Sequence, residues 1–220
     1  MEFEILNSEI PEHIYRSLNL EEMPKLVQFD NMAMLEINDT PPDHFPPPLT
    51  VTELQLAYSR GDIFGGIVDA AGELKSYFWF EPKVDELYVS SMAVHPDYRN
   101  KGISQQILAI ADNEARKRSL NKCTLSVDPY NGRGISAYFK NGYRIVGYRA
   151  EYFGSEYPNT DRFLMEKLLD GGRRVGVEIA NVECDDTITL NRVLTDGFIG
   201  MSLIRSEDGN DKKNKIIFGK

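Results

Sequence analysis

The sequence contains few of the residues that build disulfide frameworks or metal sites. Among its 220 residues are two cysteines, Cys123 and Cys184, and three histidines. Two cysteines give no framework of disulfide bonds, and no two histidines are spaced as ligands on one helix face. We therefore expect no metal site. Cys123 lies in an alternating apolar run and is interpreted as a small core residue.

Long apolar runs are also absent. No uninterrupted apolar stretch approaches the roughly 18 residues typical of a membrane-spanning helix. The opening MEFEILNSEI has neither the basic start nor the apolar core of a signal peptide. Hydrophobic residues make up 41% of the chain and charged residues 27%, which is ordinary for a soluble globular protein. These features predict a cytoplasmic protein with no membrane partner.

Charge is distributed unevenly along the chain, whose formal net charge is -9. Residues 1–90 carry 17 acidic and 5 basic residues, whereas residues 91–170 carry 9 acidic and 12 basic residues. A phosphate-rich cofactor suits the basic middle segment, and a cationic co-substrate suits the acidic first segment. Ordinary solvated surface charge is the alternative for the acidic segment. Nucleic acid is disfavoured as a partner because its binding needs a broad basic face.

One stretch combines a strand, a basic loop and a helix. The alternating apolar run Leu87–Val94 predicts a strand, and a helical pattern follows from Ile103 to about Ser119. The first N–H groups of a helix have no intrahelical acceptor and carry partial positive charge, so an anion fits there. In the loop between them, Gly102 permits close approach of the backbone, and basic residues flank it. The pattern indicates a diphosphate site, although an ordinary strand-turn-helix has the same appearance.

A second stretch runs from Asn131 to Tyr143, after a predicted strand at 120–128. It begins with asparagine and passes through a short predicted helix to Gly142. Together the two stretches resemble the GNAT acetyltransferase superfamily. The segment R-N-K-G-I-S at 99–104 is similar to its acetyl-CoA loop, R/Q-x-x-G-x-G/A. The second stretch is similar to its N-x(6)-Y-x(3)-G-F/Y signature, with Tyr138 at the tyrosine position. The resemblance covers roughly residues 74–168.

The resemblance implies an α/β fold of the α+β type, with a mixed, mostly antiparallel central sheet flanked by helices. It also implies an acetyl-CoA-dependent N-acetyltransferase that acts on a primary amine by direct attack in a ternary complex. Tyr138 would donate a proton to the leaving thiolate, and Asn131 would bind the pantetheine arm. The backbone of the strand would contact pantetheine and the thioester carbonyl, and the loop would hold the diphosphate. The residues concerned are, for the strand, Met92, Ala93 and Val94, and for the loop, Arg99, Asn100, Lys101, Gly102, Ile103, Ser104 and Gln105.

The general base is less clearly indicated. Glu86 stands at the start of the cofactor strand, where several family members place a catalytic glutamate, and a chain of water molecules is the alternative. Acetyltransferases that act on ribosomal proteins tend to carry a glutamate at the position of Ser126, and serine cannot serve as a base. The segments 147–153 and 161–166 nevertheless resemble the hairpin with which those enzymes grip a peptide, with Tyr152 and Phe153 in the matching place.

The acceptor and the activity leave alternatives open. Small cationic amines and protein or peptide N-termini both fit as acceptors. A catalytically inactive acyl-CoA sensor or scaffold of the same fold is the alternative to an enzyme. An NAD-type domain is disfavoured because no G-x-G-x-x-G opens the first helix. The proline-rich segment Thr40–Pro48 is either a wall of the acceptor site, carrying His44 and Phe45, or a rigid linker.

The remaining patterns complete a predicted architecture of one domain, residues 1–169, and an extension, residues 170–220. Outside the motifs, strands are expected at 2–6, 63–68, 74–80, 143–152, 162–168, 175–182 and 213–219, and helices from about 20, at 50–60 and at 187–194. In the extension, Thr195–Ile199 resembles Lys140–Arg144. The extension is therefore either a degenerate duplication of the preceding helix and strand, or an addition that covers a sheet edge or supports a homodimer.

Overall fold

The structure is a computed structural model that describes residues 15–35, 42–171 and 179–220. The strand predicted at 2–6 lies outside the described residues. The chain forms two compact units, the first of residues 1–36 and 48–123 and the second of residues 37–47 and 124–220. The division into a domain at 1–169 and an extension at 170–220 stays a prediction, as does the homodimer.

The first unit contains four antiparallel strands in the order β1-β2-β3-β4 and three α-helices. The predicted helices and strands of this region are confirmed, each within a few residues. Their bounds are β1 Tyr15–Ser17, α1 Met23–Leu35, α2 Val51–Arg60, β2 Ile63–Val68, β3 Leu74–Pro82, β4 Leu87–Val94 and α3 Ile103–Lys117. Thr50 caps the start of α2 by accepting from the backbone N–H of Glu53, and Gly61 ends this helix with φ 93°.

The core of the first unit lies on both faces of β3. Tyr77 and Trp79 point to one face, where they pack among residues of α1 and α2 such as Met23, Leu26 and Leu54. Phe78 and Phe80 point to the other face, where their rings stack with centroids 4.5 Å apart. All four aromatic side chains are buried. The prediction that both faces of this strand are covered is therefore confirmed.

The second unit has strands in the order β5-β7-β6-β9-β10-β8. The helices and strands of this unit are β5 Lys122–Val127, α4 Gly132–Lys140, β6 Arg144–Arg149, β7 Arg162–Leu168, β8 Ile179–Glu183, α5 Thr187–Thr195, β9 Ile199–Ile204 and β10 Lys215–Gly219. The first two residues of β5 belong to the first unit. The predicted hairpin of β6 with β7 is confirmed. Strand β6 is shorter than predicted because the chain turns beyond it, with Glu151 at φ 44°.

The element order strand-helix-strand-strand occurs twice, first as β5-α4-β6-β7 and then as β8-α5-β9-β10. Asn131 and Asp186 cap α4 and α5 through their side chains, and each accepts from the N–H three residues later. Gly142 and Gly197 follow these helices with φ 90° and 85°. The two series lie side by side and are joined where β6 pairs antiparallel with β9. Each helix also packs on the central strand of the other series, α4 on β9 and α5 on β6. This is the arrangement that an internal duplication would produce, and it also covers part of the edge of β6.

The two series meet where Ile145 of β6 lies opposite Gly200 of β9. A Cβ atom added at Gly200 would lie 2.8 Å from Cβ of Ile145 and 3.0 Å from Cγ2 of Ile216. Contacts this short leave no room for a side chain. Glycine at this position therefore allows the strands to approach each other.

We expect Gly200→Val to lower the free energy of unfolding by about 1 to 3 kcal/mol, because overpacking must displace Ile145 or the strand itself. Urea denaturation measures this loss. Met201→Val is the matched control, since Met201 lies next to Gly200 on β9 and is only partly buried. Equal losses in the two variants would show that the close approach at Gly200 is unimportant.

Candidate active site

The predicted diphosphate loop lies between β4 and α3, in the first unit. Asn100 and Gly102 both have left-handed backbone conformations, with φ 62° and 75°, and Gly102 directly precedes the helix. Helices α2, α4 and α5 are each capped by a side chain, whereas no side chain of the described residues caps α3. The first-turn N–H groups of α3 are therefore available to an anion.

Two basic side chains flank this helix start. The Nε of Arg99 donates to the carbonyl oxygen of Val94 at 3.2 Å, which ties the loop to the end of β4. The Nζ of Lys101 lies 4.8 Å from the ring centroid of Tyr98, and Lys101 is exposed. Arg99 therefore shapes the loop in addition to supplying charge, while Lys101 can move to meet a phosphate.

Strand β4 carries a β-bulge that the sequence did not reveal. Trp79 pairs with Ser91 and Phe80 pairs with Val89, so that Ser90 is an extra residue on β4. Before the bulge, Leu87 and Val89 are buried, whereas residues 90–94 are all partly exposed. The strand backbone at Met92, Ala93 and Val94 therefore belongs to a partly exposed segment, as a cofactor-binding strand requires.

The second signature lies in the second unit, on α4. The Oδ1 of Asn131 accepts from the N–H of Gly134 at 2.8 Å, so this oxygen caps the helix. The amide nitrogen is the other polar atom that Asn131 could offer a ligand. Tyr138 follows on the same helix, with its ring centroid 5.9 Å from that of Tyr143. Burial raises the pKa of Tyr138 to about 12, so its hydroxyl is protonated at neutral pH and can act as a proton donor.

Glu86 lies directly before β4 and is partly buried. Its carboxylate is 3.4 Å from Nζ of Lys122, which also lies 3.6 Å from the carboxylate of Asp85. Glu86 is therefore ion-paired, which sequence spacing could not show because 36 positions separate it from Lys122. Its role as a base stays a prediction.

A buried charged cluster of the second unit was missed by the sequence analysis. Oδ2 of Asp128, just after β5, is 3.1 Å from Nη1 of Arg162 and 3.5 Å from Nδ1 of His44. The Nη2 of Arg162 donates to the carbonyl oxygen of His44 at 3.0 Å. Burial raises the pKa of Asp128, while the charge of Arg162 opposes that shift. The cluster anchors the proline-rich segment through His44, consistent with a rigid structural role for it.

The aromatic residues of the predicted peptide-gripping hairpin lie in the loop after β6. Tyr152 and Phe153 contact each other edge to face, with ring centroids 5.0 Å apart. The guanidinium of Arg162 lies 5.2 Å from the ring centroid of Phe153. Phe153 is exposed to 37%, which leaves part of its ring available to a ligand.

The acetyltransferase (GNAT) family model matches residues 20–143, which is more than half of the chain. The chain therefore belongs to the GNAT acetyltransferase family. It is an acetyl-CoA-dependent N-acetyltransferase with the mixed, mostly antiparallel sheet and flanking helices expected from its sequence. The start of α3 fits the diphosphate of this co-substrate, because its N–H groups are uncapped and two basic residues flank them.

Solved structures are similar to this chain at low identity. The ribosomal-protein-S18-alanine N-acetyltransferase from Escherichia coli is 17% identical, with 76% of this chain and 99% of that chain covered and a TM-score of 0.59. The PaiA N-acetyltransferase from Thermoplasma acidophilum, in complex with coenzyme A, is 19% identical over 70% and 97% of the chains, with a TM-score of 0.56. The yncA protein from Salmonella typhimurium, with its cofactor acetyl-CoA, is 16% identical over 76% and 99%, with a TM-score of 0.57. At these identities the likeness is evidence about the fold alone.

No curated protein matches the sequence. Within residues 15–35, 42–171 and 179–220, no helix is long and apolar enough to cross a membrane. The same ranges contain no group of three or more His, Cys, Asp or Glu side chains that could hold a metal ion.

We expect Arg162→Met to lower the free energy of unfolding by about 3 to 5 kcal/mol, because it leaves the buried carboxylate of Asp128 without its cation. Urea denaturation at neutral pH measures the loss. Lys213→Met is the control, since Lys213 pairs with Asp208 at 2.7 Å on the surface and its removal should change stability little. A similar small effect of both variants would contradict the structural role of the cluster.

Proposed function

We propose that this enzyme transfers the acetyl group of acetyl-CoA to a primary amine by direct attack in a ternary complex. The observation that carries the proposal is the start of α3, where Gly102 in a left-handed conformation leads into a helix without a side-chain cap. Three other helices of the same chain are capped by side chains. An uncapped end beside two cations is suited to a diphosphate.

The cofactor-binding roles are assigned to the residues that the family signatures indicate. The segment Arg99 to Gln105 holds the diphosphate through its backbone N–H groups, except that of Arg99, which donates to the carbonyl oxygen of Pro96 at 3.1 Å. Lys101 adds a mobile charge. The backbone of Met92, Ala93 and Val94 contacts pantetheine and polarises the thioester carbonyl. Asn131 binds the pantetheine arm. The partial exposure of residues 90–94 supports the proposed contact of this strand with pantetheine.

The catalytic roles follow from the chemistry of the step. Amine attack on the thioester expels a thiolate, to which Tyr138 donates its proton. Because burial raises the pKa of Tyr138 to about 12, its hydroxyl is protonated at neutral pH, the state from which it can donate. Glu86 is the base that the sequence indicates, acting directly or through water. Its carboxylate lies 3.4 Å from Nζ of Lys122, so Glu86 would accept a proton while ion-paired with this lysine.

The acceptor is proposed to be a small cationic amine or the N-terminus of a protein or peptide. The acidic first segment of the chain supports a cationic acceptor. The exposed aromatic hairpin at Tyr152 and Phe153 supports a peptide, because aromatic side chains can pack against an extended backbone. One similar structure is an enzyme named for the alanine of a ribosomal protein, which is the same class of acceptor.

A catalytically inactive acyl-CoA sensor is the second candidate, favoured by the ion-paired state of Glu86 and by serine at position 126. Release of free coenzyme A thiol separates the two candidates. The assay uses acetyl-CoA with spermidine, lysine, kanamycin or an alanine-terminated tetrapeptide, and mass spectrometry identifies the acetylated amine. Acetyl-CoA binding without thiol release from any of these amines would favour the sensor.

We expect Lys101→Ala to weaken acetyl-CoA binding about ten-fold, because it removes one charge-assisted contact to phosphate. Isothermal titration calorimetry measures the dissociation constant. Lys140→Ala, which removes an exposed lysine at the end of α4, should leave it unchanged. If both variants bind acetyl-CoA as the wild type does, the diphosphate does not lie at the start of α3.

We expect Tyr138→Phe to lower kcat about 100-fold while changing the dissociation constant of acetyl-CoA little, since the variant loses the proton donor but keeps the ring. Because the folded pKa of Tyr138 is raised to about 12, its donor function is present below that pH and lost only above it. The wild-type rate should therefore show no decline from Tyr138 between pH 7 and pH 10. A Tyr138→Phe enzyme with an unchanged kcat would remove Tyr138 from the mechanism.

A further inference from the structure

A buried carboxylate of the first unit is connected to β4 by two hydroxyl groups. Asp30 on α1 is 4% exposed, and Tyr77 on β3 donates its hydroxyl proton to Oδ1 of Asp30. The same hydroxyl lies 2.6 Å from Oγ of Ser91 on β4. Because Tyr77 has one proton to donate and gives it to Asp30, Ser91 is the donor in the second bond. The three side chains therefore form one continuous hydrogen-bonded chain with a single direction.

The bulge in β4 is what brings Ser91 into this chain. Paired residues of an antiparallel sheet point to the same face, and Ser91 pairs with Trp79, on the face of Tyr77. Val89 pairs with Phe80, on the opposite face. Regular alternation along β4 without a bulge would place Ser91, two residues after Val89, on the same face as Val89 and away from Tyr77.

The two ends of the chain differ in their access to solvent. Ser91 is partly exposed and directly precedes Met92, the first residue assigned above to the thioester-binding backbone. Asp30 is buried, and its burial raises the pKa of its carboxyl, while the bond from Tyr77 lowers it in part. Tyr77 is also buried, and its pKa is raised well above its ordinary value, so it remains a neutral phenol. A proton that enters at Ser91 therefore has one acceptor at the far end, the carboxylate of Asp30.

We propose, on the basis of the acetyl transfer proposed above, that Ser91, Tyr77 and Asp30 form a proton relay that deprotonates the acceptor ammonium. The ammonium gives a proton to Oγ of Ser91, while Ser91 passes its own proton to Tyr77 and Tyr77 passes its own to Asp30. No alkoxide or phenolate forms, because each hydroxyl gains one proton as it loses another. The product of the relay is a neutral amine and a protonated Asp30.

Acetyl transfer follows this deprotonation. The amine nitrogen attacks the thioester carbon, and a C–N bond forms as the C–S bond breaks. The nitrogen loses its second proton to Glu86, the base assigned above, directly or through water, and Glu86 passes this proton to solvent. The thiolate takes the proton of Tyr138, which solvent then restores. Asp30 returns its proton to solvent along the same hydroxyls after the product leaves. The net products are the acetylated amine, coenzyme A thiol and one proton.

The relay has a pH signature that a purely structural cluster lacks. It is needed only while the acceptor is an ammonium ion, so its loss should cost less as the free amine becomes neutral. The α-amino group of a peptide is neutral above about pH 8, whereas a primary alkyl amine such as those of spermidine needs about pH 10. Among the described residues, the titratable group in contact with Asp30 is Tyr77 from β3. His95, which follows β4, lies near Phe29, the residue before Asp30, with ring centroids 6.3 Å apart.

The test compares Ser91→Ala with Ser90→Ala in the full chain, measuring thiol release from pH 6 to pH 10 with the alanine-terminated tetrapeptide and with spermidine. Ser90 is the matched control because it is the adjacent serine of the same strand and is also partly exposed. We expect kcat/KM of Ser91→Ala to be at least about ten-fold below that of Ser90→Ala at pH 7. The deficit should shrink above about pH 8 with the peptide and only near pH 10 with spermidine.

Each other outcome has a distinct meaning. A deficit of Ser91→Ala that is the same at every pH would assign the cluster a structural role and overturn the relay. A pH-dependent deficit in Glu86→Gln, with Ser91→Ala equal to Ser90→Ala, would overturn it in favour of Glu86. Asp30→Asn, checked for folding by its thermal melt, should reproduce the Ser91→Ala profile. If the wild type releases no thiol with either amine, the proposed acetyl transfer itself fails, independently of the relay.

Discussion

One additional residue in β4, Ser90, determines which side chains of this strand point to each face of the sheet. Ser90 has no partner of its own on β3, and the strand beyond it changes the face to which each side chain points. Before the bulge, alternate side chains enter the apolar core, and beyond it the segment to Val94 is partly exposed. The bulge therefore converts a core strand into one that a ligand can approach, and it turns Ser91 towards Tyr77.

The loop after β4 shows how backbone conformation and charge act together. Two residues in left-handed conformation, Asn100 and Gly102, direct the chain into α3 without a capping side chain. A helix of fifteen residues with an uncapped start leaves several N–H donors aligned in one direction. Arg99 fixes the loop through the carbonyl of Val94, so that the donors of the helix and the end of the strand are held together. Such preorganisation favours binding of an anion because the loop loses little conformational entropy when the anion binds.

In the second unit the same local structure, a helix capped by a side chain and followed by a glycine, occurs in two series of elements. The helix cap and the terminal glycine recur in both series, at Asn131 and Gly142 and again at Asp186 and Gly197. These residues fix local backbone geometry, which both copies need. Tyr138, by contrast, is matched by Val193 at the same position of the second series, so the tyrosine proposed as proton donor occurs in the first series only. At the contact of the two series, Ile145 meets Gly200, a large residue against an absent side chain, which no symmetric pairing of two identical strands could provide.

The sequence by itself determined most of the helices and strands, the glycine after the second signature helix, and the family. These properties are local, because apolar periodicity, caps and short motifs depend on neighbouring residues. The tertiary structure alone decided the bulge at Ser90, the ion pair of Glu86 with Lys122, and the contact of Asp30 with Tyr77 and Ser91. It also decided the anchoring of His44 by Asp128 and Arg162. Each of these joins residues that are distant along the chain, and their proximity follows from strand register and helix packing, which no local pattern encodes.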